Sequence, residues 1–299
     1  MNNALIIKDF VSLFYKELKD YYPKGEIDTL IFLTLNDLLG MDRAKIELYE
    51  KKTVRREDAK KILSVINELK THKPIQYILG ETFFYGCKIK VNENVLIPRP
   101  ETEELTDWII SDTQNSKPET LLDIGTGSGC IAIALSKNFP HTNVFAIDIS
   151  DESLLVAKAN AIFNQTKIDF LQADIIALSQ STNSPINNFD IIVSNPPYIL
   201  SSEKKKMAKN VINYEPHLAL FVNDDEPLLF YKAIANFAKK NLNKNGKLYL
   251  EINEALGSEV KKLLSEKGFK NVEVKKDMSG KERMVKGIYF ENSVFRTAQ

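Results

Sequence analysis

From Thr120 to Phe290 the chain alternates short apolar runs with stretches of helical spacing, and no other feature limits its fold as tightly. Leu121 to Ile124, Val144 to Ile149, Asp169 to Ala173, Asp190 to Ser194 and Leu248 to Ile252 have the length and aliphatic content of buried strands. The intervening spacing predicts helices over Gly129 to Lys137, Ser150 to Asn164, and Leu228 to Leu242, the last stopped by Asn245-Gly246. A further helix is predicted from Glu259 to Lys267, stopped by Gly268. Ser150 is placed to cap its helix, with Asp151 and Glu152 in the first turn. Strands joined through helices run parallel, so the pattern predicts an α/β fold with helices on both faces of a mostly parallel sheet. The last two strands, Val272 to Val274 and Met284 to Phe290, have only a turn around Met278-Ser279-Gly280 between them and must be antiparallel.

The segment ahead of this alternation reads as helices. Leu5, Ile6, Phe10, Leu13 and Phe14 form one stripe, and Ile62, Val65, Ile66 and Leu69 another. Between them lie Leu30 to Leu39, closed by Gly40, and a shorter Ile46 to Tyr49 turn. After Lys73-Pro74 the pattern changes to Thr82 to Tyr85, Gly86, then Ile89 and Val91 alternating with Lys88 and Lys90, which predicts a β-hairpin. Pro98 and Pro100 forbid helix until Pro100 itself can start one, continued by Leu105, Trp108 and Ile109. The expected organisation is a helical domain over 1–72, a hairpin linker over 73–100, an α/β domain over 101–292 and a tail over 293–299.

Composition narrows the function classes without excluding a nucleic-acid partner. With 40 Lys+Arg against 40 Asp+Glu the chain has no global basic footprint for nucleic acid. Cys87 and Cys130 stand far apart with no CxxC, which argues against a structural zinc, and no metal is expected. No stretch approaches the length of a membrane span or resembles a signal peptide, so the expected compartment is the reducing cytoplasm.

Two constellations carry chemistry. The first is Asp123-Ile124-Gly125-Thr126-Gly127-Ser128-Gly129, at the end of a strand and the start of a helix, where glycines let a ligand approach main-chain N–H groups. Asp148 ends the next strand, where a carboxylate can accept both hydroxyls of a ribose. A turn that only packs the sheet is the alternative for the glycines alone. A dinucleotide fingerprint would need Gly or Ala where Cys130 stands, so the form is GxGxG. With an acid two positions ahead, it resembles the S-adenosylmethionine site of Rossmann-like methyltransferases. That resemblance implies that Asp123 faces the methionine ammonium and Asp174, after the third strand, the adenine.

The second constellation is Asn195-Pro196-Pro197-Tyr198, which follows the fourth strand and so emerges at the same sheet edge. Each proline restricts the residue before it to extended conformations, giving a stiff corner. Asn195 Oδ1 and the Pro196 carbonyl can then accept both hydrogens of one planar NH₂ group, with the Tyr198 ring against its face. An amide nitrogen is a poor nucleophile because its lone pair is delocalised; holding its hydrogens aims that lone pair at a sulfonium methyl. The alternative, a proline-rich turn after a buried strand, is weakened by two independent motifs meeting at one edge.

With these motifs in place the chain resembles the PrmC (HemK) family of protein glutamine methyltransferases. The resemblance is carried by Lys73-Pro74-Ile75-Gln76-Tyr77-Ile78-Leu79-Gly80, Leu96 to Glu103, Asp123 to Gly129, Ser194 to Tyr198 and Tyr214-Glu215-Pro216. It implies a Rossmann-like class I methyltransferase with a seven-stranded, mostly parallel sheet behind a small all-α domain and a hairpin. It also implies methylation, from S-adenosylmethionine, of the Gln in the Gly-Gly-Gln motif of peptide chain release factors. The implied cofactor residues are Asp123, Gly125, Thr126, Gly127, Ser128, Gly129, Asp148, Asp174, Ile175 and Asn195. Asn195, Pro196, Pro197 and Tyr198 would bind substrate, with Asn195, Pro196 and Tyr198 catalytic. The family often has an aromatic residue where this chain has Ile175, so an aliphatic side chain would pack against the base. The expected partner is a release factor, met by a monomer without membrane or direct nucleic-acid contact.

The remaining signals are weaker. Arg99 and Glu101 either shape the mouth of the site or pair with each other on the surface, Lys204 to Lys206 reads as a solvated loop, and His217 as structural. A DNA or RNA adenine amino-methyltransferase would use the same corner but would have to flip a base and hold phosphates. A ribosomal-protein glutamine methyltransferase would share the chemistry and is separated only by the family resemblance. A non-enzymatic cofactor-binding adaptor is disfavoured by the intact glycine turn and Asn195 corner.

Overall fold

The computed structural model describes residues 5–113, 117–182, 186 and 188–290; the tail expected over 293–299 lies outside them. One compact unit runs to Glu81 and takes in Ala208–Tyr214, and a second comprises Thr82–Met207 and the chain from Glu215 onward.

The first unit is built on α1 (Ile7–Leu18), α2 (Lys24–Leu39), α3 (Arg43–Leu48), α4 (Arg56–Leu69) and α5 (Ile75–Leu79). Ile7, Phe10, Phe14 and Leu18 bury one face of α1 against Ile62, Val65, Ile66 and Leu69 of α4 and the apolar residues of α2 in one core. Leu5, expected in that stripe, is 42% exposed, and Ile7 and Leu18 extend the face instead. Gly40, at φ 64°, closes α2 as its position suggested. The expected turn at Ile46 to Tyr49 is the end of helix α3, whose N-cap Asp42 accepts a hydrogen bond from Lys45 N (2.8 Å). α5 is too short to show a helical period in sequence. The Ala208–Tyr214 excursion is tied into this unit by Tyr214, whose hydroxyl donates to Thr71 Oγ1 at 2.7 Å.

The hairpin is formed by β1 (Glu81–Phe84) and β2 (Cys87–Lys90), turning at Tyr85 and Gly86, which both have positive φ as a two-residue type I′ turn requires. α6 (Pro100–Thr113) begins at Pro100, as expected. The alternation then runs β3 (Thr120–Ile124), α7 (Cys130–Asn138), β4 (Asn143–Asp148), α8 (Asp151–Phe163), β5 (Ile168–Gln172), α9 (Ile175–Gln180) and β6 (Phe189–Ser194). After β7 (Ile199–Leu200) come α10 (Lys209–Tyr214), α11 (His217–Leu220) and β8 (Phe221–Val222). The chain closes with α12 (Leu229–Asn241), β9 (Leu242–Glu251), α13 (Gly257–Glu266), β10 (Phe269–Lys276) and β11 (Glu282–Tyr289).

Among the described residues the central sheet has seven strands in the order β10-β11-β9-β6-β3-β4-β5. β9, β6, β3, β4 and β5 are parallel, and β11 runs antiparallel to both β9 and β10. The mostly parallel α/β fold with an antiparallel final pair is therefore as the sequence implied. Asn245-Gly246 does not stop α12, which ends at Asn241; the pair lies in β9, where the register against β6 shifts between Phe189 and Ile191. None of the described helices is long and apolar enough to cross a membrane.

One polar knot fixes the start of α7 against its neighbours. Asn160 of α8 is fully buried; its Nδ2 donates to the Lys90 and Ser128 carbonyls (both 2.9 Å) and its Oδ1 accepts from Lys90 N (2.8 Å). One amide side chain thus joins the hairpin, α8 and the glycine turn. Asn160→Ala removes these bonds from three backbone groups, of which the Ser128 carbonyl is buried, and should lower unfolding stability by about 1–3 kcal/mol. Urea unfolding followed by circular dichroism would measure the loss.

Candidate functional site

Parallel pairing of β3 with β4 and with β6 sets Ile124 opposite both Ile147 and Ser194. The segments that leave these strands therefore emerge side by side at the carboxyl edge, where the chain reverses its direction of travel across the sheet. A cavity of about 290 Å³ lies there. Its walls include Gly125, Thr126, Gly127 and Ser128 from the glycine turn and Asp148 from β4. Asp174 and Ile175 at the start of α9, and Asn195, Pro196 and Pro197 after β6, complete the predicted residues found there. Asp123, Gly129 and Tyr198 do not line it and stand directly behind the groups that do.

The glycine turn is shaped by backbone conformation. Gly125, Gly127 and Gly129 have φ of 70°, 54° and 81°, the left-handed region that favours glycine. A Cβ added at Gly125 or Gly127 would meet nothing within 4 Å, so the space over the turn is open, whereas at Gly129 it would crowd Ala157 Cβ at 3.2 Å. The first two glycines serve the cavity, and the third serves the packing of α7 on α8. Gly125 N and Thr126 N both donate to the Ile147 carbonyl, fastening the turn to β4.

Two acids stand behind and beside it. Asp123 is fully buried; its Oδ2 accepts from Thr126 Oγ1 (2.6 Å), while its Oδ1 has no hydrogen-bond partner among the described residues. Burial, aided by the charge of Asp148, pushes its carboxyl up to about 7. Asp148 accepts from Gly127 N (2.8 Å) through Oδ2 and from Ser150 N (3.0 Å) through Oδ1, and burial raises it as well. Each oxygen keeps a lone pair for a further donor. Asp174 is the N-cap of α9, accepting from Ile176 N through Oδ1 (2.8 Å). Ile175 is both a wall of the cavity and a member of the sheet core.

The Asn195 corner is held from beneath by residues outside the motif. Asn195 Nδ2 donates to Thr102 Oγ1 (3.0 Å), and Thr102 Oγ1 donates to Glu251 Oε2 (2.6 Å). Tyr198 donates through its hydroxyl to the other oxygen, Glu251 Oε1 (3.0 Å), and its ring packs on the sheet core. The ring is therefore an anchor in this structure and is not among the residues that line the cavity. Thr102 and the fully buried Glu251 were missed in sequence. Their signal was an acid in the apolar run Leu248 to Ile252, a charge that must find partners once the strand is buried.

Arg99 lines the cavity and pairs with Glu215 Oε1 (2.6 Å), not with Glu101. Glu215 is almost fully buried and also receives Ile97 N at 3.4 Å. Lys204 to Lys206 form part of a 3₁₀ turn, Ser201–Lys206, instead of an open loop, with Lys204 Nζ over the Phe221 ring. His217 begins α11 and meets Phe221 edge-on.

The carboxyl-edge cavity, the glycine turn and the strand order define a Rossmann-like methyltransferase, and the family model for the methyltransferase small domain matches residues 101–218. The model for the PrmC N-terminal domain matches residues 15–80. Release factor glutamine methyltransferase of Flavobacterium psychrophilum is 46% identical over 285 residues, 94% of this chain and 99% of its own length. Its counterpart in Bacteroides thetaiotaomicron is 40% identical, covering 90% of this chain and 95% of its own. The chain belongs to the release factor glutamine methyltransferase family. Among solved structures, the hMettl16 catalytic domain in complex with MAT2A 3'UTR hairpin 6 matches with a TM-score of 0.51 at 17% identity, covering 79% of this chain and 82% of that one. That likeness is one of fold.

Removing Arg99 would leave the buried Glu215 carboxylate with one weak backbone donor, Ile97 N, among the described residues. Arg99→Ala should lower stability by about 1–2 kcal/mol, the partial exposure of Arg99 limiting the cost. Glu215→Gln in the same background should recover part of the loss in a denaturation series.

Proposed function

We propose that this chain transfers a methyl group from S-adenosylmethionine to the side-chain amide nitrogen of the Gln in the Gly-Gly-Gln segment of peptide chain release factors. One observation carries the reading: the open glycine turn and the Asn195 corner face one cavity, with the Asn195 amide fixed by Thr102. The relatives' activity toward release factors supports the substrate.

The residues present fit the cofactor. Asp123 Oδ1 and Ser128 Oγ are buried polar atoms without hydrogen-bond partners among the described residues, and a ligand ammonium beside the first would satisfy it. Asp148 would accept the ribose hydroxyls on its remaining lone pairs, and Asp174 and Ile175 would hold and cover the adenine. S-adenosylmethionine supplies an electrophilic methyl on a sulfonium sulfur. Asn195 Oδ1 and the Pro196 carbonyl would accept the two N–H groups of the glutamine amide, with Pro197 bordering it. That arrangement turns the nitrogen lone pair into the cavity, and the proton released on methylation would pass to solvent, since neither amide oxygen is basic enough to keep it. The chain itself then provides orientation and water exclusion, and needs no nucleophile of its own.

The helical unit is the second contact region. A single amide offers too little surface to distinguish one protein glutamine from another. A short peptide containing Gly-Gly-Gln should therefore show a kcat/KM at least about 10²-fold below that of the intact release factor. Equal values would place all recognition in the α/β unit.

The two halves of the site should separate kinetically. Asn195→Ala is expected to reduce turnover by about 10²-fold or more with cofactor affinity nearly unchanged. Asp148→Ala should do the reverse, weakening cofactor binding by about 10-fold or more through loss of charged hydrogen bonds. Calorimetry with S-adenosylmethionine and single-turnover methylation would distinguish them.

Cofactor affinity should also depend on pH. Below about 7 the Asp123 carboxyl is protonated and must lose its proton before it can face a cation. Affinity is thus expected to rise with pH, by up to about tenfold per unit below 7, and to level above it. Asp148, also raised, acts in the same direction, so the slope removed by Asp123→Asn is the part owed to Asp123.

A further inference from the structure

We propose that Glu251 is a positioning residue for methyl transfer: through Thr102 on one oxygen and Tyr198 on the other, it fixes which way the Asn195 amide faces. The proposal rests on the reading of Asn195 as the acceptor for the substrate amide and names what enforces that role.

The geometry is a chain of one-way hydrogen bonds. Glu251 sits at the end of β9, fully buried, with Oε2 accepting from Thr102 at 2.6 Å and Oε1 accepting from Tyr198 at 3.0 Å. An ionised carboxylate has no proton to give, so both hydroxyls must point at it. Thr102 has a single hydrogen, and once it is committed to Glu251 its oxygen can only accept toward Asn195. Asn195 answers with Nδ2 at 3.0 Å, which leaves Oδ1 as the acceptor for the cavity. Were Thr102 free to donate to Asn195 instead, the amide could turn over and present an NH₂ group to the NH₂ group of the substrate. Two donors would then face each other.

The same carboxylate holds the far end of the corner. Tyr198 is the last residue of the motif, and its hydroxyl bond to Glu251 closes the span that Asn195 and Thr102 open. Pro196 and Pro197 stiffen the backbone between these two anchors. Asn253 Nδ2 donates to the Tyr198 carbonyl at 3.2 Å, so the segment following β9 grips the corner a second time.

This arrangement predicts a pH signature. The groups facing Glu251 are Glu101 and Thr102 of α6, Cys130 of α7, Tyr198, Tyr231 of α12 and Arg283 of β11. Burial pushes Glu251 up to about 7, against the hydrogen bonds of Thr102 and Tyr198 and the charge of Arg283, which favour its ionised form. Tyr198, Tyr231 and Cys130 are all held above their ordinary values by burial. Protonated Glu251 can donate, and the fixed direction of the chain is lost. Turnover at saturating cofactor should therefore rise with pH and level above about 7.

Glu251→Gln keeps the size of the side chain while placing a donor where one acceptor stood. We expect single-turnover methylation of intact release factor at saturating cofactor to fall about 30- to 100-fold. Affinity for S-adenosylhomocysteine should stay within about threefold, and the rise of rate with pH should vanish. Thr102→Val should show the same loss, Thr102→Ser should recover at least about tenfold of it, and the double variant Thr102→Val/Glu251→Gln should cost little more than either change alone. A Glu251→Gln rate within threefold of wild type, or an unchanged pH profile, would overturn the proposal. So would equal losses in rate and cofactor affinity, which would make Glu251 a structural residue. Thermal melting shows whether Glu251→Gln is folded, and if it is not, Thr102→Val against Thr102→Ser decides alone. Asn195→Ala in the same assay tests the underlying reading: an active Asn195→Ala refutes the acceptor role itself, whereas an inactive one beside a fully active Glu251→Gln refutes only the inference.

Discussion

The parallel pairing of β3 with β4 on one side and β6 on the other is the constraint from which the site follows. Parallel neighbours end at the same edge, so the glycine turn, Asp148 and the Asn195 corner come together without any contact in sequence. Connections after β3 first travel outward through β4 to β5 and then return to β6 on the opposite side. A crevice opens where those two directions part, and no loop has to be folded back to make it. Ser194 Oγ, donating to the Ile124 carbonyl at 2.7 Å, locks the two strand ends whose turns supply opposite walls of the cavity. The knot at Asn160 performs the corresponding task on the other side of the glycine turn.

Much of this was legible because the signals are local. Strand and helix periods gave the order of the elements, and Gly125, Gly127 and Pro100 act through their own backbone angles, which no partner elsewhere can override. Ser150 is a similar case: it caps α8 by accepting from Ser153 N at 3.0 Å, an interaction spanning three residues. Asp123 was singled out through the resemblance, as an acid two positions ahead of a glycine turn.

What the sequence concealed is long-range. Thr102 and Glu251 meet across 149 positions, and Arg99 reaches Glu215 across 116. Neither pairing has a period, a spacing or a turn to announce it. Arg99 beside Glu101 even suggested a local pair that does not form, because the buried Glu215 is the more demanding partner. The joining of Ala208–Tyr214 to the helical unit was equally hidden, since a six-residue helix such as α10 carries too few positions to show which face it buries. Asn245-Gly246 misled in the opposite way. The pair has the composition of a helix stop, yet the bulge between β6 and β9 needs the same freedom, with Asn245 at φ 64°.

Asp123 and Glu251 show why residue type and burial alone do not assign a role. Both are carboxylates at strand ends, both are fully buried, and burial pushes both up to about 7. An isolated buried charge costs several kcal/mol, so each must be compensated. Glu251 is compensated within the fold, with a hydroxyl on each oxygen and Arg283 nearby. Asp123 is compensated on one oxygen by Thr126, while the other lacks a partner among the described residues. The satisfied carboxylate can serve as a fixed reference that orients neighbouring dipoles, because nothing it binds has to leave. Under the proposed function, the half-satisfied one is free to pair with the cationic end of the ligand. The same chemical group thus provides permanence at β9 and receptivity at β3, and the difference lies in whether its last lone pairs are filled by the chain or left to a ligand.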